Sequence, residues 1–244
     1  MRILALETAS SACTVAVTDG ENVLAELTLQ VARAHSTRLM PLIDQAVTES
    51  GVAKTDLDGI AVGVGPGSFT GLRIGLATAK ALAFGLGKPC VGVSTLKAMA
   101  YGTGAQIGLV VPMLDAKREE VFAGVYAVGD RNPATWAEVM PPAHIGLAEL
   151  SERVAELRAG LRHTWQFVTC CGDVAPAYVP RIAPADVVRL APAGAMLPRA
   201  WAVAQIGQSL LTSGQGVGAE PTAVYLRKSE AERLWDTRKL PSSL

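Results

Sequence analysis

This chain has no excess of either positive or negative charge. Its 244 residues carry 22 Lys and Arg against 22 Asp and Glu, a formal net charge of zero. A strongly electrostatic grip on nucleic acid by this chain alone is therefore not expected. Metal-ligand spacings are missing as well. The four cysteines, Cys13, Cys90, Cys170 and Cys171, form no C-x-x-C pair, and reduced thiols in a cytosolic protein are the simplest reading. The three histidines, His35, His144 and His163, make neither H-x-x-x-H nor H-E-x-x-H, so no pair of imidazoles shares a helix face. No basic region precedes the first apolar stretch, and no cleavable signal is expected. Low-complexity segments are absent, and 50% of the residues are hydrophobic. That supplies a sizeable core and argues against disorder. The length fits one large or two small domains.

What is present centres on residues 63–89, GVGPGSFTGLRIGLATAKALAFGLGKP. An apolar run at 59–64 predicts a strand, and Gly63, Gly65, Pro66 and Gly67 end it, since proline cannot continue a ladder. Ser68 has the side chain of a helix N-cap. A proline-free helix is predicted over 69–86, with Arg73 and Lys80 as its charges. Gly71, Gly75, Thr78 and Leu82 recur at three to four residues and form a mostly small face. The rest is too apolar for a surface helix. A membrane span fits poorly with two cations and repeated glycines. The helix is therefore central to the core or covered by another chain. Phosphate-binding motifs do not fit: Gly65-x-Gly67 is followed by glycine one residue too late for G-x-G-x-x-G, and Gly87-Lys88 is not a P-loop. A tight turn with close helix packing is the favoured reading of these glycines.

In chain order, strands are predicted over 2–7, 13–18 and 22–30. A helix over 36–50 follows, with Leu39, Leu42, Ile43, Ala46 and Val47 on one stripe and Gly51 as its stop. Pro41 is expected to kink its first turn or mark its start. Beyond the strand at 59–64 and the helix at 69–86 come a strand at 90–93 and a helix at 94–101. Gly102, Gly104 and Gly108 then mark a boundary. The second half repeats the outline. A strand over 107–115 ends on Asp115 as the first ends on Glu7. Strands over 119–128 and 135–140, a helix over 147–158 and a strand over 166–171 follow. Residues 178–190 read as irregular, 193–213 as a closing helix, 222–227 as extended, and 228–244 as a charged tail able to form a surface helix. Strand–strand–strand–helix–strand–helix, twice over, is the outline of an α/β duplicated actin-like (ASKHA, ribonuclease H-like) fold. Its two lobes would each hold a mixed sheet with flanking helices. The division expected is 1–103, 104–218, and an extension at 219–244 free to return to the first lobe. In such folds nucleotide lies between the lobes, near the turns after Glu7 and Asp115. Glu7, Thr8, Ser10 and Asp115 are the candidates for a vestigial nucleotide cleft.

Five stretches carry a family resemblance: ILALETASSACTVAV, AHSTRLMPLID, AVGVGPGSFTGLRIGLATAKALA, PMLDAKREEVFAGVY and PTAVYLR. They resemble the bacterial TsaB family over the first half, the start of the second, and the terminus, with GPGSFTGLRIG the most specific. The resemblance implies the duplicated actin-like fold. It also implies a cytoplasmic role in making threonylcarbamoyladenosine at position 37 of tRNAs that read ANN codons. The partners it implies are TsaD, a related catalytic subunit, and TsaE, an ATPase, with tRNA met only through the complex. TsaD-like proteins bind a metal through H-x-x-x-H, whereas His35 here precedes Ser36, Thr37, Arg38 and Leu39. They carry Asp-Glu in the first turn, whereas this chain has Ser11-Ala12-Cys13. The phosphate turn D-x-G-[ST] is replaced by Glu7-Thr8-Ala9-Ser10. A catalytically silent subunit is implied, with no catalytic residue, no metal and no cofactor. The alternative is an ATP-dependent small-molecule kinase or transferase of the same fold, resting on Glu7, Asp115 and the Ser10-Ser11 turn. A metalloprotease lacks its zinc ligands. Ser68 is not in G-x-S-x-G, so a serine nucleophile is poorly supported.

Leu39, Leu42, Ile43 and Ala46 on one helix, and Leu72, Arg73, Leu76 and Lys80 on the other, are expected to contact a partner. The two helices offer more apolar surface than one sheet face should cover. The occupant would be a TsaD-like subunit, or a second copy when the chain is alone. Gly71 and Gly75 would permit close approach within the domain or across that interface.

Overall fold

A computed structural model describes residues 1–30, 35–104, 107–129, 132–133, 135–160, 167–215 and 218–227. The tail read as a surface helix, 228–244, lies outside these residues. The first strands are β1 (Arg2–Glu7), β2 (Ala12–Asp19) and β3 (Asn22–Gln30), followed by α1 (His35–Ser50), β4 (Gly59–Gly65), α2 (Phe69–Leu86), β5 (Cys90–Ser94) and α3 (Thr95–Gly102). The second set is β6 (Gly108–Asp115), β7 (Glu120–Val128), β8 (Ala137–Gly146), α4 (Leu147–Ala159), β9 (Val168–Cys171), α5 (Ala175–Ile182), β10 (Val188–Leu190) and α6 (Ala200–Thr212).

The two sheets have the same order, β3-β2-β1-β4-β5 and β10-β9-β6-β7-β8. In each, the first strand pairs antiparallel with the second and parallel with the fourth. This is the duplicated actin-like α/β architecture. β1 is apolar on both faces because both are covered, as parallel-paired strands usually are. Leu4 and Leu6 point into a cluster with α1 and α2. Ile3 and Ala5, on the opposite pleat, meet α6. The period of two along the strand thus divides it between two helical layers.

That layering takes six of the eight predicted interface residues into the core. Leu39, Leu42, Ile43 and Ala46 of α1, and Leu72 and Leu76 of α2, are all buried within the chain. Leu39, Leu42, Ile43, Ala46 and Leu76 pack with Leu4, Leu6, Val15 and Val62 in one cluster. One sheet face does cover both stripes, because α1 lies over β2 and α2 over β4 side by side. They are core, not partner surface. Of the eight residues, Arg73 is exposed and Lys80 half-buried.

Four further expectations change. Pro41 lies inside α1 rather than at its start. The third strand of the second sheet is Ala137–Gly146, not 135–140, and takes in Pro141 and Pro142; it is an edge strand, where a missing donor is tolerated. Residues 178–190 are not irregular throughout, for α5 carries Pro176 in its first turn and β10 follows. The closing helix starts at Ala200, after a short 3₁₀ turn at Ala193–Ala195. Packing also departs from the linear division at 103 and 218. α6 lies on β1, β2, β4 and β5 of the first sheet. It fits closely: a Cβ on Gly207 would stand 2.5 Å from the Ala61 Cβ.

Candidate functional site: the cleft between the lobes

Between the lobes is a cleft of about 770 Å³. The first lobe contributes Ala9 to Ser11, His35, Ser68 and Thr70; the second contributes Asp115, Lys117, Phe122 and Asp173. Duplication places the turns after β1 and β6 opposite one another.

The turn after β1 is packed from behind by α2. Ser68 caps α2, accepting from the Gly71 amide at 3.2 Å. The Ser68 amide donates to the Ala9 carbonyl at 2.7 Å, and the Thr8 hydroxyl donates to the Gly71 carbonyl at 2.8 Å. Here only glycine fits. A Cβ would stand 2.2 Å from the Ala9 oxygen at Gly67, 2.0 Å from the Thr8 oxygen at Gly71, and 2.3 Å from Thr8 Oγ1 at Gly75. The small face of α2 therefore serves close approach within the domain.

Glu7 lies beneath this turn, wholly buried. Its Oε1 accepts from the Ala9 amide at 2.7 Å and its Oε2 from the Thr95 hydroxyl at 2.8 Å. Thr95 Oγ1 in turn accepts from the Gly65 amide at 3.2 Å. Burial pushes the Glu7 carboxyl above the usual carboxylate range, against the hydrogen bonds from Ala9, Thr95 and Thr8 that pull it down. Glu7 and Thr8 thus tie β1, β4, α2 and α3 together and do not line the cleft. Ser10 and Asp115 do line it. The Ser10 hydroxyl is turned back to accept from the Ala12 amide at 3.0 Å.

Asp115 is held by its own turn. The Lys117 amide donates to its Oδ1 at 2.8 Å, and the Lys117 ammonium reaches its Oδ2. Partial burial raises the Asp115 carboxyl, but these two bonds outweigh it and hold the group below the usual range. Lys117, Arg118 and Glu119 all have positive φ, at 68°, 60° and 59°, a left-handed run that is uncommon outside glycine. His35 lines the cleft with Nε2 3.4 Å from the Ala12 carbonyl. Among the described residues no group of three or more His, Cys, Asp and Glu is placed to hold a metal. Cys13 and Cys170 are buried, and burial pushes their thiols up to about 11 and about 12, away from nucleophilic use. No described helix is long and apolar enough to cross a membrane.

Sequence reasoning missed Thr95, which braces Glu7, and Arg227, which reaches the Ala116 carbonyl from the C-terminal segment. It also missed the outward side of α2. Phe84 is 89% exposed and Met40 of α1 46%, and Arg73, Ala77 and Ala81 of α2 are exposed as well. In a helix apolar on every side, hydropathy does not mark which side faces the sheet.

The family model for TsaD, tRNA N6-adenosine threonylcarbamoyltransferase, matches residues 23–165. The tRNA threonylcarbamoyladenosine biosynthesis protein TsaB of Escherichia coli K12 is 38% identical over 128 residues, 52% of this chain and 55% of that one. The protein of the same name from Bacillus subtilis 168 is 34% identical over 156 residues, covering 64% and 67%. The matched segment thus spans little more than half of the Escherichia coli relative. A solved structure of YeaZ from Pseudomonas aeruginosa superposes with a TM-score of 0.73 at 27% identity, covering 92% of this chain and 99% of that one. The TsaD-type model match over more than half of the sequence, a TsaB relative matched over two thirds of its length, and a fold shared over nearly all of the chain lead to one conclusion: the chain belongs to the TsaB family.

Proposed function

We propose that this chain is a non-catalytic partner subunit in forming N6-threonylcarbamoyladenosine at position 37 of tRNAs that read ANN codons. It binds and supports a TsaD-like catalytic subunit, together with a TsaE-like ATPase, and meets tRNA only through that complex. One observation carries the non-catalytic part. A phosphate held at the β1–β2 turn needs free backbone amides. Here the Ala9 amide donates to Glu7 and the Ala12 amide to Ser10, so the chain's own oxygens occupy two amides of that turn. The name shared by the curated relatives supports the pathway.

The partner surface in this reading is the outward side of α1 and α2: Met40, Arg73, Ala77, Ala81 and Phe84. A phenylalanine 89% exposed on a helix already buried on its other side is the kind of apolar exposure that marks interaction sites. In the absence of a catalytic partner the same ridge pairs two copies of the chain. The test is threonylcarbamoyladenosine content of tRNA in cells whose own family member is replaced by this chain or by its Phe84→Asp variant. The wild type should restore the nucleoside and the variant should not. No restoration by the wild type, or full restoration by the variant, counts against the reading. The alternative, an ATP-dependent kinase or transferase, draws on Asp115 and Lys117 standing in the cleft; calorimetry with ATP separates the two.

A further inference from the structure

Pairing between β4 and β5 breaks at Val64. Gly63 pairs with Val93 and Gly65 with Ser94, with a register shift between them. The break turns the Val64 carbonyl to another donor, and the Val224 amide takes it at 2.8 Å. Around this bond the segment 220–227 is seated on the first lobe. Pro221 is buried, its Cβ 3.2 Å from where a Cβ on Gly92 would stand. The Tyr225 ring lies 4.8 Å from that of Phe69. Its hydroxyl accepts from Arg73 Nε at 3.3 Å, and the Arg73 guanidinium covers Phe69 at 3.8 Å. Glu220 pairs with Lys80 at 3.4 Å.

Two residues past Tyr225 the same segment crosses to the second lobe. Arg227 lines the cleft, and its Nη1 donates to the Ala116 carbonyl. Ala116 belongs to the left-handed turn between β6 and β7 that carries Asp115 and Lys117. Elsewhere the lobes meet along α3, where Leu96, Met99 and Ala100 pack with Val110, Tyr126 and Val128. The lobes are thus joined by an apolar seam at α3 and by a polar link through Arg227, with the cleft between. Rotation of one lobe about such a seam is the ordinary geometry of hinge motion. It would change the distance from Ala116 to the first lobe, which is the distance that Arg227 spans.

The structure assigns to residues 220–227 the role of a strap that sets the opening of the cleft. Val224, Pro221 and Tyr225 anchor it on the first lobe, and Arg227 holds the second. Arg73 and Lys80 act here as anchor points for the strap. The property belongs to the isolated chain and does not depend on any partner.

The test is electron–electron double resonance between spin labels at two exposed positions, Thr55 in the first lobe and Glu152 on α4. The labels are attached through an encoded ketone residue, and labelled protein is diluted with unlabelled so that only distances within one chain are read. The wild type should give one narrow distribution. Arg227→Ala should broaden it and lengthen its mean by several ångströms. Val224→Pro, which deletes the anchoring amide without shortening the chain, should do the same. Arg227→Lys keeps a donor and should stay near the wild type. Circular dichroism checks that each variant is folded. Narrow, unchanged distributions in both Arg227→Ala and Val224→Pro would mean that the segment merely packs on the first lobe. A broad distribution in the wild type would equally overturn the strap.

Discussion

A Cβ at position 71 would stand 2.0 Å from the Thr8 carbonyl oxygen, whereas one at position 85 would meet nothing within 4 Å. Both glycines lie in the same helix, so both gain about 1 kcal/mol of propensity as alanine. At Gly71 overpacking costs about 1–3 kcal/mol. The clash is the larger effect, because the oxygen is backbone in a turn fixed by the Ser68–Ala9 bond. Gly71→Ala should therefore lower the free energy of unfolding in urea by up to about 2 kcal/mol, and Gly85→Ala should raise it by up to about 1 kcal/mol. Stabilisation by both would show that α2 does not press on the turn. Glu7 supplies a pH dependence. Its folded value is raised by burial, so the folded state holds the proton more tightly than the unfolded chain. The stabilisation is complete below the unfolded value of about 4.3 and is lost as pH rises through the folded value. Urea midpoints should fall over that range in the wild type and fall less in Glu7→Gln. Parallel curves would mean that burial does not shift this carboxyl.

At the scale of the element, α2 sets two substitutions against each other. Leu76 sits in the core cluster with Leu4, Leu6 and Val62, and Leu76→Glu would bury an unpaired carboxylate at a cost of several kcal/mol. That variant should fail to fold and so reports nothing about association. Phe84→Asp, at a position 89% exposed, should stay within about 0.5 kcal/mol of the wild type. Light scattering and pull-down with a TsaD-like subunit should nevertheless show weakened association with the partner and with itself. A Phe84→Asp chain that associates fully leaves this ridge without a function. The bounds Phe69–Leu86 and the Ser68 cap were legible because their signals are local: Pro66, Gly67 and Ser68 before the helix, Gly87 after it. The side that α2 buries was not legible, because it depends on β1 and β4 being already in place beneath it.

At the scale of the molecule the cleft decides between a silent subunit and a nucleotide enzyme. With the Ala9 and Ala12 amides donating inward, ATP binding by the isolated chain should be weaker than about 1 mM, near −4 kcal/mol. Calorimetry reads this directly. Tight binding with turnover that persists through purification would restore the kinase reading and bring Ser10 and Asp115 forward. Glu7 was read as a cleft residue because its counterpart in chain order, Asp115, ends the matching strand. The structure separates them: Asp115 faces the cleft, whereas α3 closes over Glu7 and supplies Thr95.

The sequence by itself determined the element order of the first half and most of the second, the duplication and the family, since periodicity, caps, turns and motif strings are properties of neighbouring residues; α5 and β10, in a proline-broken stretch, were not among them. Leu4 and Leu6 alternate with Ile3 and Ala5 along β1, and the structure buries both sets. Only the tertiary structure decided what covers each face. α6, more than a hundred residues along the chain, lies on one side of β1, and α1 with α2 on the other. The same holds for the small face of α2, which meets Thr8, and for the C-terminal segment, which binds Val64 and Ala116. The physical reason is that these contacts join residues far apart in sequence. Their partners are set by which surfaces remain uncovered once the two sheets have formed.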